Sequence, residues 1–121
     1  MYLKHICILL CAIATLNACS TRKSNTASAP YELLNSTWQY SDSDNDRNYN
    51  ITFARKGKLK STHPNDVTPD NDTWEQNGEN VRFFFNNKYA TYEGKFYGKD
   101  TIKGSANNKL NTWSFLLVRT R

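Results

Sequence analysis

The acidic residues that follow the first aromatic cluster have a spacing that could bind a metal ion. Asp42, Asp44 and Asp46 alternate along the chain, and alternate carboxylates can converge on one hard cation such as calcium. A calcium loop also needs Gly where this chain has Arg47, and a bidentate Glu where it has Phe53. We therefore interpret the segment as a polar hairpin loop built on Asx turns, and we predict no metal site.

The remaining ionisable residues do not form a recognisable catalytic set. His63 stands alone in a loop beside a proline, and one His cannot by itself build a zinc site or a triad. Glu75, Glu79 and Glu93 have no spacing that favours a glycosidase pair, and no Gly-rich phosphate loop occurs. We therefore predict that the protein is not an enzyme and uses no cofactor.

The aromatic side chains are the other group that could form a site. Leu, Ile and Val are scarce, so most rings must form the core, although some could line a pocket. Gly104 and Ala106 are expected to face inward, where they either leave room for a ligand or accommodate neighbouring indoles. The candidate pocket or core residues are Trp38, Tyr40, Phe53, Phe83, Tyr92, Gly104, Ala106, Trp113, Phe115 and Arg119.

Alternation of apolar and polar residues predicts the elements that carry these side chains. Tyr49, Ile51 and Phe53 share one face of their segment, and this period of two is typical of half-buried strands. The Asn77-Gly78 pair predicts a hairpin, with both residues at the positive φ of a type I′ turn. Similar patterns predict strands at 36–40, 49–53, 59–61, 73–76, 81–85, 89–97, 101–107 and 112–119, with a surface loop at 63–72.

These elements define an all-β fold class. No segment shows an amphipathic helical repeat, and about eight short strands at even spacing predict a small antiparallel meander barrel or sandwich. We expect the folded domain at residues 33–121. Residues 19–32 are rich in Ser, Thr, Asn and Ala, which predicts a flexible tether before that domain.

Residues 1–18 have the pattern of a secretory signal peptide. Lys4 and His5 precede an almost wholly apolar run from Ile6 to Leu16. The run is shorter than the roughly 20 residues that a transmembrane helix needs, and polar residues follow it at once. We expect a signal helix that is removed on export.

The residues Leu16-Asn17-Ala18-Cys19 resemble the lipobox of bacterial lipoproteins. Leu16 matches the apolar position and Ala18 the small one, whereas Asn17 departs from the usual Ala, Ser or Thr. The resemblance implies attachment of diacylglycerol to the Cys19 sulfur, cleavage after Ala18 and acylation, as with palmitate, of the new amine. Two or more acyl chains hold a protein durably on a membrane, while one chain binds only reversibly. Ser20, in place of Asp, implies the outer rather than the inner membrane.

The segment from Asn35 to Arg119 resembles the lipocalin and avidin-like small barrels. The lipocalin first-strand motif is Gly-x-Trp, and here Ser36 replaces the Gly before Trp38. In lipocalins a late basic side chain covers that Trp. Arg119 shares a face with Trp113 in the last strand, and we expect it to cover Trp38 by a cation–π contact.

Charge and export narrow the expected partners. The chain carries a net charge of +5, but an exported lipoprotein rarely meets nucleic acid, so we expect no nucleic-acid partner. We expect an envelope protein, anchored at Cys19, whose non-catalytic barrel binds another envelope protein or polymer. A lysozyme-inhibitor-like role through the 42–46 loop is one form of this hypothesis. The alternative is a lipocalin-like cup that holds a small apolar ligand at one barrel end.

Overall fold

The computed structural model describes residues 31–44, 47–68 and 70–121, and these fold as an all-β domain. The predicted signal peptide, Cys19 and most of the predicted tether lie outside the described residues. A tight turn at Arg55–Gly57, in which Lys56 and Gly57 have left-handed φ values of 59° and 67°, connects the second and third strands. The strands are β1 Ser36–Asp42, β2 Tyr49–Phe53, β3 Leu59–Ser61, β4 Thr73–Asn77, β5 Asn80–Phe85, β6 Ala90–Phe96, β7 Thr101–Asn107 and β8 Thr112–Arg119.

The strands form one antiparallel meander that curls into a nearly closed barrel. The sheet order is β3-β2-β1-β8-β7-β6-β5-β4, so the first strand pairs with the last. The two edge strands meet through a bridge between Lys58 and Thr73 and a hydrogen bond of 3.1 Å from the Leu59 N–H to the Asp72 carbonyl. This closure leaves little exposed strand edge. The prediction of an all-β meander is confirmed, in the form of a barrel.

Aromatic rings fill the middle of the barrel. Phe83 and Tyr92 stack with centroids 4.5 Å apart, and the Phe115 ring meets Phe83 edge-on at 5.3 Å. Phe53 reaches Phe83 from the opposite side at 5.9 Å. Trp38 and Phe53 are wholly buried. Since edge-to-face and offset contacts suit the ring quadrupoles, the core gains from geometry as well as from burial.

Two glycines allow β6 and β7 to pack closely. Gly94 and Gly104 are directly paired across the two strands. A Cβ atom at Gly104 would lie 2.6 Å from the Gly94 Cα and would also collide with the Glu93 carbonyl oxygen. A Cβ atom at Gly94 would lie 3.0 Å from the Phe115 ring. The space at Gly104 is therefore occupied by the backbone of the neighbouring strand and not by a void.

The N-terminal segment of the described chain seals one end of the barrel. Leu33 is wholly buried, and the Tyr31 ring packs on Phe96 with centroids 4.9 Å apart. Phe96 in turn meets Trp38 edge-on at 5.8 Å. The chain thus joins the barrel at Tyr31, two residues before the domain start expected from the sequence.

Arg119 stabilises this closed end of the barrel through several contacts. Its guanidinium carbon lies 4.4 Å from the centre of the Trp38 ring, as the sequence led us to expect. It also donates hydrogen bonds to the carbonyls of Glu32 at 2.8 Å and Lys99 at 3.1 Å, and it pairs with Asp100 at 3.2 Å. One side chain therefore joins the first strand, the last strand, the N-terminal segment and the β6–β7 turn.

Ser36 gives the buried indole of Trp38 a polar partner. The Trp38 Nε1–H donates to the Ser36 hydroxyl at 2.7 Å, and that hydroxyl donates to the Leu33 carbonyl. A buried N–H without a partner costs about 1–3 kcal/mol. The Ser at this position therefore satisfies a group that a Gly could not satisfy.

The β4–β5 hairpin differs from its predicted geometry by one residue. Asn77 pairs with Asn80, so the central residues of the turn are Gly78 and Glu79. Only Gly78 of these has a positive φ, of 59°, which is the pattern of a type II′ turn. The hairpin prediction is confirmed, but the type I′ geometry with Asn77 at a central position was wrong.

Replacing Arg119 tests the closed end. We expect Arg119→Ala to lower the free energy of unfolding by about 2–4 kcal/mol, because it removes a cation–π contact and several charged hydrogen bonds. Arg119→Lys should lose less, since it keeps the charge but not the planar fork. Urea denaturation followed by tryptophan fluorescence measures both.

Arg82→Ala is the matched control. Arg82 pairs with Glu75 and Glu93 on the outer surface, where half of its side chain is exposed. Its loss should cost no more than about 1 kcal/mol. Equal unfolding midpoints for the Arg119 and Arg82 variants would contradict the role assigned to Arg119.

Candidate functional site

The other end of the barrel opens into a cavity of about 340 Å³. Because the strands run antiparallel, the β1–β2, β3–β4, β5–β6 and β7–β8 connections all meet at this end. The volume is at the lower end of the range of about 300–1,000 Å³ that small-ligand pockets occupy. The lining side chains belong to Asp42, Asp44, Arg47, Tyr49, His63, Asn65, Asp66, Phe85, Asn86, Tyr89, Ala90, Tyr92, Asn108, Asn111 and Trp113.

A chain of hydrogen bonds links the aromatic core to the mouth of the cavity. The Trp113 Nε1–H donates to the Tyr40 hydroxyl at 2.9 Å, and this hydroxyl donates to Asp42 Oδ2 at 3.2 Å. Burial raises the pKa of Tyr40 and of Tyr49 well above the ordinary range, and it raises that of Tyr92 to about 12. These phenols therefore remain protonated at neutral pH and serve as hydrogen-bond donors at the base of the cavity.

His63 lies on the cavity wall as a neutral imidazole. The Asn65 backbone N–H donates to His63 Nδ1 at 3.0 Å, and Arg47 Nη1 lies 3.4 Å from Nε2, so both ring nitrogens face donors and the doubly protonated imidazolium is disfavoured. Burial and the nearby Arg47 guanidinium both lower the pKa of His63, which favours this neutral form. The ring meets Tyr49 edge-on at 4.8 Å. This histidine therefore adds no positive charge to the site at neutral pH.

A buried carboxyl group holds one wall in place. Asp72 is only 3% exposed, and its Oδ1 accepts a hydrogen bond of 2.7 Å from the Asn86 N–H at the start of the β5–β6 turn. Burial, together with the neighbouring Asp66 carboxylate, raises the pKa of Asp72 to about 6, against the lowering effect of the Asn86 hydrogen bond. Asp66 lines the cavity itself, and Asp72 connects the 62–72 loop to the opposite turn.

The β5–β6 turn has an unusual backbone. Asn86, Asn87 and Lys88 all have φ between 53° and 68°, which is the left-handed region that non-glycine residues rarely enter. Asn87 is also held by a hydrogen bond from its N–H to the Asn71 carbonyl at 3.1 Å. Three successive left-handed residues bring Asn86 and Tyr89 to the mouth of the cavity.

Of the residues predicted from the sequence to line a pocket or form the core, some lie at the cavity and others are buried in the core or lie at the closed end. Tyr92 and Trp113 line the cavity, whereas Tyr40 lies directly beneath it. Arg119 belongs to the closed end with Trp38, at the opposite end of the barrel. Phe53, Phe83, Ala106 and Phe115 are buried core residues, and Gly104 faces the backbone of β6.

The sequence alone did not predict that the remaining lining residues belong to one site. Asp42 and Asp44 were considered as metal ligands or as part of a protein-contact loop, and His63 as a zinc or triad residue; Asp46 lies outside the described residues. The other lining residues were assigned to separate strands and connections. The available signal was topological, because alternate connections of a meander must fall at the same end of the barrel.

The described ranges contain no metal-binding group of three His, Cys, Asp or Glu side chains. Within those ranges, no helix is long and apolar enough to cross a bilayer.

Comparison with other proteins adds no relative to this picture. No protein-family model, no curated protein and no solved structure matches the chain significantly.

The raised pKa of Asp72 predicts a pH-dependent stability. An acid with a raised folded-state pKa stabilises the fold when protonated, and this contribution is lost as the pH rises from about 4 through about 6. Relative to Asp72→Asn, the wild type should therefore lose on the order of 1–3 kcal/mol between pH 4 and pH 7.

Urea denaturation at several pH values measures this difference. Glu93→Gln is the control, because it also removes one carboxylate but from an exposed site. If the difference between the wild type and Asp72→Asn stays constant across this pH range, Asp72 does not carry the titration.

Proposed function

We propose that this protein is a lipid-anchored binding protein of the bacterial envelope whose barrel holds a small ligand in its open end. The observation that carries the proposal is the asymmetry of the barrel. One end is sealed by Arg119, Trp38 and the N-terminal segment, while the other opens into a cavity of about 340 Å³. A concave site with an aromatic base and a few convergent polar groups is the usual form of a small-molecule site.

The lining favours a ligand with polar groups over a purely apolar one. Tyr49, Tyr92 and Trp113 offer ring surface, while charged and amide side chains surround them. An apolar ligand would leave those polar groups without partners, which costs free energy in a closed site. In place of a purely apolar ligand, we therefore propose one that has an apolar surface to pack on the aromatic rings and polar groups that form hydrogen bonds.

The proposal assigns binding rather than catalysis to the site. His63 Nδ1 accepts a backbone hydrogen bond, and its Nε2 lies 3.4 Å from Arg47 Nη1, so both ring nitrogens already have protein neighbours. The Tyr40 hydroxyl is engaged with Trp113 and Asp42, and burial keeps it protonated. These contacts favour fixed hydrogen-bonding geometry over a group that takes up and releases protons during turnover.

The lipoprotein part of the proposal is supported by the sequence Leu16-Asn17-Ala18-Cys19 and by the point at which the chain meets the barrel. Tyr31 joins the domain at the sealed end. An anchor at Cys19 would thus attach to the end opposite the cavity. The open end would then be accessible from the periplasm, with the lipid in the outer membrane. The shape agrees with a lipocalin-like cup.

A macromolecular partner is the second candidate, and one observation favours it. Three apolar side chains stand exposed on the connections around the open end: Val67 is 81% exposed, Leu110 80% and Tyr89 49%. Exposed apolar groups around a site often mark a contact surface. Another envelope protein or polymer could bind there, and the lysozyme-inhibitor-like hypothesis belongs to this class.

Replacing Cys19 tests the anchor. We expect Cys19→Ala to move the protein from the membrane fraction to the soluble fraction, because two or more acyl chains are lost. Intact-mass analysis of the wild type should show a chain that begins at Cys19 and carries lipid. An unmodified thiol, or a Cys19→Ala protein that still floats with membranes, would contradict the anchor without affecting the binding site.

Blocking the open end tests the cavity. Asn111 lies on the rim, so Asn111→Trp should fill the mouth and abolish the indole N–H shift changes at Trp113 that small ligands cause in NMR spectra. A panel of amines, alcohols and sugars provides the probes. Thr112→Trp adds the same ring to an exposed residue outside the cavity and is the control. Ligand responses that survive Asn111→Trp would place binding elsewhere.

A further inference from the structure

We propose that the cavity binds an organic cation that carries N–H donors, such as a protonated primary amine, and that Asp66 accepts one of those donors. This inference rests on the proposed binding function and names the chemical class of the ligand. Three features of the described residues support it: the charge around the mouth, a buried carboxylate oxygen that accepts no N–H, and the aromatic side chains at the mouth.

The mouth is acidic in a chain that is basic as a whole. Among the described residues that line the cavity, Asp42, Asp44 and Asp66 face one guanidinium, that of Arg47. His63 is neutral, since its Nδ1 accepts the Asn65 N–H. The whole chain has a net charge of +5, so this concentration of carboxylates is local. A concave site with one sign of charge attracts ligands of the opposite sign.

Asp66 has a carboxylate oxygen that no N–H group reaches. Its Oδ1 is buried and accepts no hydrogen bond among the described residues, and the Asp66 side chain lies against the Asp72 carboxyl, which can hydrogen-bond to it when protonated. The Asp66 backbone is fixed by a hydrogen bond of 3.0 Å from its N–H to the His63 carbonyl. A buried, unpaired carboxylate oxygen is costly, and a charged N–H donor satisfies it best. When Asp72 is ionised, Asp66 and Asp72 are neighbouring carboxylates with no donor between them, and the surrounding charge favours a cationic donor.

The aromatic side chains suit the rest of such a ligand. Tyr49 and Tyr92 form part of the base, Trp113 stands on one wall, and Tyr89 reaches the rim with half of its surface exposed. Aromatic rings attract cations through their quadrupoles. Tyr89 and the half-buried Trp113 expose ring surface for this contact, whereas Tyr49 is stacked on Tyr40 and Tyr92 on Phe83. Asp42, already an acceptor for the Tyr40 hydroxyl, adds negative charge at the same mouth.

A series of three ligands separates charge from hydrogen bonding. We expect 2-phenylethylamine to bind the full-length protein about tenfold more tightly than 2-phenylethanol, because only the amine carries a charge. Trimethyl(2-phenylethyl)ammonium keeps the charge but has no N–H, so it should bind more weakly than the amine. Isothermal titration calorimetry at neutral pH and low salt measures all three.

Substitutions of Asp66 and Arg47 test whether these residues interact with the ligand's charge. Asp66→Asn should weaken binding of the amine about tenfold and leave binding of the alcohol unchanged. Glu93→Gln removes a carboxylate from the outer surface and should change neither. Arg47→Gln should strengthen binding of the amine about threefold at low salt, because a like charge is removed. This gain cannot arise from misfolding, so it keeps the test valid if Asp66→Asn is unstable.

The outcomes distinguish this inference from the proposed function. If the alcohol binds as well as the amine and Arg47→Gln has no effect, the cavity is a binding site but not for cations, and the inference is wrong. If the trimethyl compound equals the amine, the assignment of Asp66 is wrong. If no ligand binds and Asn111→Trp also changes nothing with a broad ligand panel, the proposed function itself fails.

Discussion

The Arg119 guanidinium lies on the face of Trp38 and at the same time binds two backbone carbonyls and a carboxylate from other segments. A domain of this size buries only about 60–65% of its unfolded surface, so its core offers little excess stability. The contact joins the N-terminal segment, the first strand and the last strand. It thereby stabilises the pairing of the first strand with the last and closes one end of the barrel, while the circumference closes where β3 meets β4. The remaining opening is at the other end.

The barrel changes in character along its axis. At the sealed end, Phe96 packs between Tyr31 and Trp38. At the open end, several rings present hydroxyl or indole N–H groups, and the hydrogen bonds from Trp113 through Tyr40 lead outward to the Asp42 carboxylate. Tyrosine suits this boundary, because its ring packs with the core while its hydroxyl meets the polar mouth. The aromatic core of the barrel therefore extends directly into the lining of the cavity.

Most of the fold could be predicted because strands of this kind are encoded locally. Alternation within β2 and β8 predicted both their limits and their inward faces, and the same parity placed Arg119 beside Trp38. Prediction failed where geometry depends on neighbours. The Asn77-Gly78 hairpin shifted by one residue, because the pairing of β4 with β5 decides which residues are central in the turn. Tyr31 appeared to belong to a tether, yet it packs on Phe96, a contact between segments distant in sequence.

The sequence by itself determined the strand pattern, the turns, the scarcity of catalytic groups and the resemblance of residues 16–19 to a lipobox, since each of these is a property of adjacent residues. Only the tertiary structure decided that a cavity exists and what lines it. Asp44, His63, Asn86 and Asn111 come from four different connections, and barrel closure alone brings them together. The same closure showed that Gly104 makes room for a neighbouring strand, because a small residue in a sequence does not reveal what fills the space beside it.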